Sequence, residues 1–151
     1  MFKFTGIMFV FISSLFIFNK NNFTDFITYK FLRETVKLID VFIPECSKGL
    51  TYPKIFETLD YTQYIFFEND GLAMYPLIKR SFINRQQLNA VKIFFEGLGK
   101  RNLEEEIDYL KENKQRFSQE AEIYKTNYKK SLQADMLYGI SAAVITIIVF
   151  I

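Results

Sequence analysis

The chain reads as an all-α protein, a helical bundle of five or six helices with an apolar segment at each end. Three observations lead there. Apolar residues recur at three- and four-residue spacing through most of the middle of the chain. Helix-start residues precede those stretches, at Asn22 or Thr24, at Thr51 ahead of Pro53, at Asn84 and at Asn102. No stretch shows the strict alternation, bounded by turns, that a half-buried strand requires.

Residues 1–18 carry a single charge, Lys3, in an otherwise apolar run. A basic residue followed by an apolar stretch also describes a cleavable signal peptide, but no Ala occurs before Ala73, so a small-residue cleavage site is missing. The segment is read as an N-terminal transmembrane helix. At the other end, residues 136–151 contain no charge and are read as a second transmembrane helix. Both runs are shorter than the ~20 residues of a full span, a difference that tilt or local thinning absorbs while Lys20 and Lys130 reach toward the headgroups. Lys20, Lys30, Arg33 and Lys37 follow the first run and Lys125, Lys129 and Lys130 precede the second, whereas only Lys3 lies on the other side. This asymmetry predicts a cytoplasmic domain over residues 19–135, with both termini on the non-cytoplasmic face of the cell membrane.

Between the two runs, Phe26, Tyr29, Leu32, Val36, Ile39 and Phe42 or Ile43 predict a helix that Pro44 bends or ends, since proline lacks an N–H and crowds the preceding turn. Gly49 closes this unit. Thr51 with Pro53 opens a short helix whose apolar side is Ile55, Phe56 and Leu59. Residues 60–81 are less regular, with a turn signal at Asn69-Asp70-Gly71 and a weak helical pattern around Pro76. Asn84 with Gln87 predicts a capping box for a helix faced by Leu88, Val91, Phe94, Phe95 and Leu98. Gly97-Leu98-Gly99-Lys100-Arg101 breaks that pattern. Asn102, followed three residues later by Glu105, starts a final helix that runs without Pro or Gly to Gly139 and continues into the second apolar run. Its predicted inner stripe is Leu103, Ile107, Leu110, Lys114, Phe117, Ala121, Tyr124 and Tyr128, fading toward Ser131 and Asp135.

The composition excludes several functions. Nineteen basic against seventeen acidic residues leave a net charge of only +2, with no basic stripe for nucleic acid. The absence of His removes the commonest general base and metal ligand. A lone cysteine, Cys46, cannot form an internal disulfide and, with no His to activate it, is read as a packing residue. Gly97-Leu98-Gly99-Lys100 has the look of a phosphate loop. However, Phe94 stands where the first glycine is required and Arg101 follows where Ser or Thr is needed, so it is read as a helix-terminating turn. Glu104, Glu105, Glu106 and Asp108 offer carboxylates to a divalent ion, yet adjacent helical positions diverge and the helix dipole accounts for acidic residues there. Tyr138 suits an interfacial belt, while Tyr124 and Tyr128 pack in the bundle or stalk. No catalytic residue, cofactor or metal site is identified.

Phe95-Glu96-Gly97-Leu98-Gly99-Lys100-Arg101-Asn102, then a long helix through Tyr128-Lys129-Lys130-Ser131 to Leu137-Tyr138-Gly139 and an apolar end, resembles the stage III sporulation protein AB family. Leu32-Arg33, Leu38-Ile39, Glu45 and Gly49-Leu50-Thr51 resemble an upstream block of that family more loosely, and residues 60–82 have no counterpart. The family turn runs Leu-Gly-x-x-Asp with Gln four residues on; Asn102 and Glu106 stand in those places here. The resemblance implies a non-enzymatic subunit of the channel complex in the mother-cell membrane around the forespore. It is similar to the inner-membrane platform protein F of type II secretion, whose cytoplasmic bundle works with a secretion ATPase. The implied partners are that secretion-type ATPase, other membrane subunits of the complex, membrane lipid and a possible further copy of the chain, and no nucleic acid. Lys100, Arg101, Asn102, Glu104, Glu105, Glu106 and Asp108 crowd the membrane-distal tip and are the candidate docking residues. The alternative is a membrane-anchored scaffold that recruits a soluble partner without transmitting force.

Overall fold

A computed structural model describes the backbone of residues 2–69, 75–79 and 82–150, and the side chains within that set from 22 to 138 together with Ser141. Two long helices dominate it: α1 (Phe2–Ser47) and α4 (Leu103–Phe150), of 46 and 48 residues. Each spans roughly 70 Å at the helical rise. Between them lie α2 (Tyr52–Thr58), a 3₁₀ turn (Tyr61–Gln63), strands β1 (Phe67–Glu68) and β2 (Leu77–Ile78), and α3 (Arg85–Glu96).

The fold is mostly helical. Two expectations are corrected. The described residues hold four α-helices rather than five or six, and they include a small antiparallel pair in which Phe67 faces Ile78 and Glu68 faces Leu77. Strands of two residues are too short to show alternation. The start of α1 also differs, because the polar residues 19–22 do not interrupt it; none of them is a helix breaker. Pro44 lies exposed in its last turn, where its missing N–H costs the helix one bond close to its end. The stop comes at Gly49, whose φ of +81° suits glycine and whose N–H reaches the Cys46 carbonyl at 2.8 Å.

α1 and α4 form an antiparallel hairpin. Phe26 meets Tyr128 with ring centroids 5.1 Å apart, Asp40 pairs with Lys114 at 2.6 Å, and the Asn22 amide donates to Asp135. The runs 1–18 and 136–151 therefore leave the bundle at the same end. Among the described residues no helix is long and apolar enough to cross a membrane. Both segments read as transmembrane helices fall almost wholly on residues whose side chains lie outside the described set.

The core is largely phenylalanine. Phe31 packs between Phe66 and Phe67, Phe67 meets Phe95, and Phe94 touches Phe95, Phe117 and Tyr109, all with centroids 5.3–5.8 Å apart. A second group joins Phe42 to Tyr52 and Phe56. Edge-to-face, tilted and stacked aromatic contacts of this kind each add about 0.5–1.5 kcal/mol beyond area burial, which gives the many Phe residues a structural purpose. Buried Glu34 fixes the middle segment: its carboxylate accepts the backbone N–H groups of Ile65 (2.9 Å) and Phe66 (3.0 Å). Asn84 caps α3 by accepting from Gln86 N at 2.9 Å, but Gln87 does not reach back to complete a capping box. It is buried and donates to Glu120 of α4 at 3.1 Å instead.

Candidate functional site at the bundle tip

The end of the bundle opposite the two apolar runs is built by the turn between α3 and α4. Gly97 N–H donates to the Ile93 and Phe94 carbonyls, which ends α3, and Leu98 N–H donates to Phe95 at 3.1 Å. Gly99 then turns the chain with φ +72°, a left-handed conformation that disfavours a side chain. Gly97 is required for a different reason. A Cβ there would lie 2.5 Å from the Tyr109 hydroxyl, which crosses the turn to donate to the Phe94 carbonyl at 3.2 Å.

Asn102 caps α4. Its side-chain oxygen accepts from Glu105 N at 3.0 Å, and its carbonyl accepts from Glu106 N at 2.8 Å. Glu104 and Glu105 follow in the first turn, exposed, where negative charge meets the positive end of the helix dipole.

Glu106 departs from the expected docking face and from the expected stripe. It is buried, at 4% exposure, and its Oε1 accepts both the Tyr52 hydroxyl at 2.6 Å and the Gly99 N–H at 2.9 Å. The inner stripe of α4 is thus Glu106, Leu110, Asn113, Phe117 and Ala121, with Leu103 left 53% exposed. The apparent phosphate loop now has a plain account, because the Gly99 N–H faces this carboxylate of the chain's own. The other oxygen, Oε2, has no hydrogen-bond partner in the fold and lies 3.7 Å from the Arg101 guanidinium.

Arg101 is held on three sides. It stacks 3.7 Å from the centroid of Tyr109, donates to the Gly97 carbonyl at 2.7 Å, and faces Glu106. Burial, and then the hydrogen bond to Glu106, push the Tyr52 hydroxyl far above the usual phenol range, so it stays protonated as a donor. Burial likewise raises the Cys46 thiol beside Tyr52, which makes it inert rather than nucleophilic.

Six of the seven predicted residues therefore share one exposed end: Lys100, Arg101, Asn102, Glu104, Glu105 and Asp108. Glu106 is turned inward as the post that ties the tip to α2. Beside this end, an open groove of about 850 Å³ runs between α3 and α4, with Asn89, exposed Ile93, Arg101, Tyr109 and Arg116 among its walls. Sequence reading missed Tyr52, Tyr109 and the groove. The one available signal was that Glu106 precedes Leu110 by four residues on the same helical face.

Among the described residues no group of three or more His, Cys, Asp or Glu is placed to hold a metal ion. The tip offers a surface of mixed charge on a hydrogen-bonded base. Comparison with known protein families, with curated proteins and with solved structures returns no match.

Proposed function

We propose that the protein is a non-enzymatic membrane platform subunit of a sporulation channel, or secretion-like, complex between mother cell and forespore. In this reading residues 19–135 form the cytoplasmic domain, residues 1–18 and 136–151 are membrane helices, and the tip docks a cytoplasmic secretion-type ATPase. One observation carries it: α4 is a single helix from its capped start at Leu103 to Phe150, braced by α1 at Lys114, Tyr128 and Asp135. A displacement at the tip is then felt at the apolar end without an intervening hinge. The resemblance of residues 95–151 to the stage III sporulation protein AB family supplies the identity of the complex.

Affinity purification of the full chain from sporulating cells tests this. Recovery of a secretion ATPase supports the reading; recovery of the remaining membrane subunits without it defeats the coupling role. A flexible insertion after Lys129 separates transmission from tethering. A transmitter loses function while still reaching the membrane, whereas a scaffold that only recruits a partner keeps working. Reversing Glu104, Glu105 and Asp108 to Lys should release the partner at a stability cost of about 1–2 kcal/mol, set by the lost interaction of Glu104 and Glu105 with the helix dipole, while the fold is kept because all three are exposed. Retention of the partner by that variant removes these residues from the docking surface.

A further inference from the structure

The connection leading into α3 lays Phe82 against Phe23 of α1, so that two aromatic rings stand on the outside of the bundle at its apolar end. Phe82 is 62% exposed and Phe23 45% exposed, and the two pack edge to face with centroids 5.3 Å apart. The position is pinned, because Asn84 N–H donates to the Thr28 hydroxyl of α1 at 2.9 Å. Phe82 is the one described non-glycine residue with positive φ, at +29°. A bulky side chain in that conformation costs free energy, and here nothing in the core repays it.

The level of this pair along the hairpin is informative. Phe23 lies five residues beyond Phe18, so it stands about 7.5 Å from the end of the first apolar run, the thickness of the headgroup region of a bilayer. On α4 the facing turns carry further exposed apolar groups, with Leu132 at 40%, Met136 at 61% and Leu137 at 66% exposure. Exposed Arg85 follows Phe82 by three residues and exposed Lys129 and Lys130 precede Leu132 by three and two, while the nearby carboxylates Asp25 and Asp135 are half-buried. Apolar tips within a fringe of cations match the boundary between acyl chains and anionic headgroups.

We propose that Phe82 and Phe23 form an interfacial anchor that seats the α3 side of the bundle on an anionic lipid surface. This rests on the membrane reading of the two apolar runs but adds a third point of contact, outside both. Two points on one hairpin leave the bundle free to swivel. A third fixes which side of it faces the bilayer.

Because the chain has no tryptophan, a single Trp reports on its own position. Phe82→Trp and Phe23→Trp are two independent probes of the pair, Phe9→Trp reports on the first apolar run, and exposed Ile93→Trp serves as the solvent reference. Each full-length variant, checked for helix content, is reconstituted into vesicles of phosphatidylcholine and phosphatidylglycerol with brominated acyl chains. The Phe82→Trp and Phe23→Trp proteins should lose roughly half their emission to bromines near the headgroups and resist acrylamide, as interfacial aromatics do. If Phe9→Trp is quenched by the lipid while both probes remain as open to acrylamide as Ile93→Trp, the anchor is overturned and the membrane reading stands. If Phe9→Trp is not quenched either, that reading falls and the anchor with it. Probes shielded from acrylamide but unaffected by brominated lipid would assign the pair to a protein neighbour, a second copy included, and overturn the lipid contact.

Discussion

Replacing Tyr52 with Phe removes one oxygen atom from the tip and leaves the ring packing of Phe42 and Phe56 in place. The lost hydrogen bond is short, 2.6 Å, and joins two residues that are 8% and 4% exposed. A bond to a buried charged acceptor contributes about 1.5–3 kcal/mol, and its loss leaves the Glu106 carboxylate with only the Gly99 N–H and a distant Arg101. The expected cost is about 2 kcal/mol at neutral pH. Equilibrium urea unfolding of the full chain in mild detergent, followed by helix circular dichroism, measures it. A cycle with Glu106→Gln should return a coupling of about 1 kcal/mol, because the two side chains touch.

The pH dependence provides a second, sharper reading. The Tyr52 hydroxyl is raised in the fold above its unfolded value near 10. Above that pH the unfolded chain loses a proton that the native chain keeps, so stability falls as pH rises, by about 1.4 kcal/mol per unit. Below pH 10 this contribution is fully present. Phe at position 52 has no proton to lose, so the gap between the two proteins should narrow from about pH 10 upward. A Tyr52→Phe protein within about 0.5 kcal/mol of the parent at pH 7, or a gap that stays constant to pH 11, would refute the account of Glu106 as an internal tie.

Two other substitutions probe the same architecture. Gly97→Ala should destabilise by about 1–3 kcal/mol, because its methyl group collides with the Tyr109 hydroxyl, and Tyr109→Phe in that background should recover part of the loss in the same unfolding assay. Glu34→Ala leaves one buried and one part-buried backbone donor without their acceptor, so a loss of about 2 kcal/mol is expected, with amide exchange at Ile65 and Phe66 accelerating first.

Local chemistry was the legible part of the sequence. Asn84 and Asn102 announce the starts of α3 and α4 because a cap is decided by the residue and its next few neighbours. Gly49 and Gly99 announce stops for the same reason, through their positive φ. What depended on distant partners was not legible. Glu106 looks like part of a solvated acidic run until Tyr52, 54 residues earlier in the chain, is placed against it. Pro44 reads as a bend or an end of the helix, but the helix runs on to Ser47, since one extra turn costs little where the proline is exposed. In the stripe of α4, Leu110, Phe117 and Ala121 lie inside as their spacing predicts, whereas the polar neighbours Glu106 and Asn113 take the inward places expected of Ile107 and Lys114. At the tip, six candidates could be found by their crowding in sequence, whereas the groove and Tyr109 require α3 to be laid alongside α4.

The bond from Asn22 to Asp135 closes the hairpin across 113 residues of chain. At about 5–20 residues per second, a ribosome takes roughly 6–23 s to make the second partner after the first. For most of that interval α1, whose Phe31, Leu32, Leu38, Ile39 and Phe42 are all fully buried in the finished protein, has only the middle segment to pack against, because α4 begins at Leu103. The helix synthesised first is thus the one completed last. A chain stalled before Leu110 can pair Phe31 with Phe66 and Phe67 and Phe42 with Tyr52 and Phe56, but it lacks Leu110, Phe117 and Ala121 of α4, so the core closes only as the last third of the chain is made.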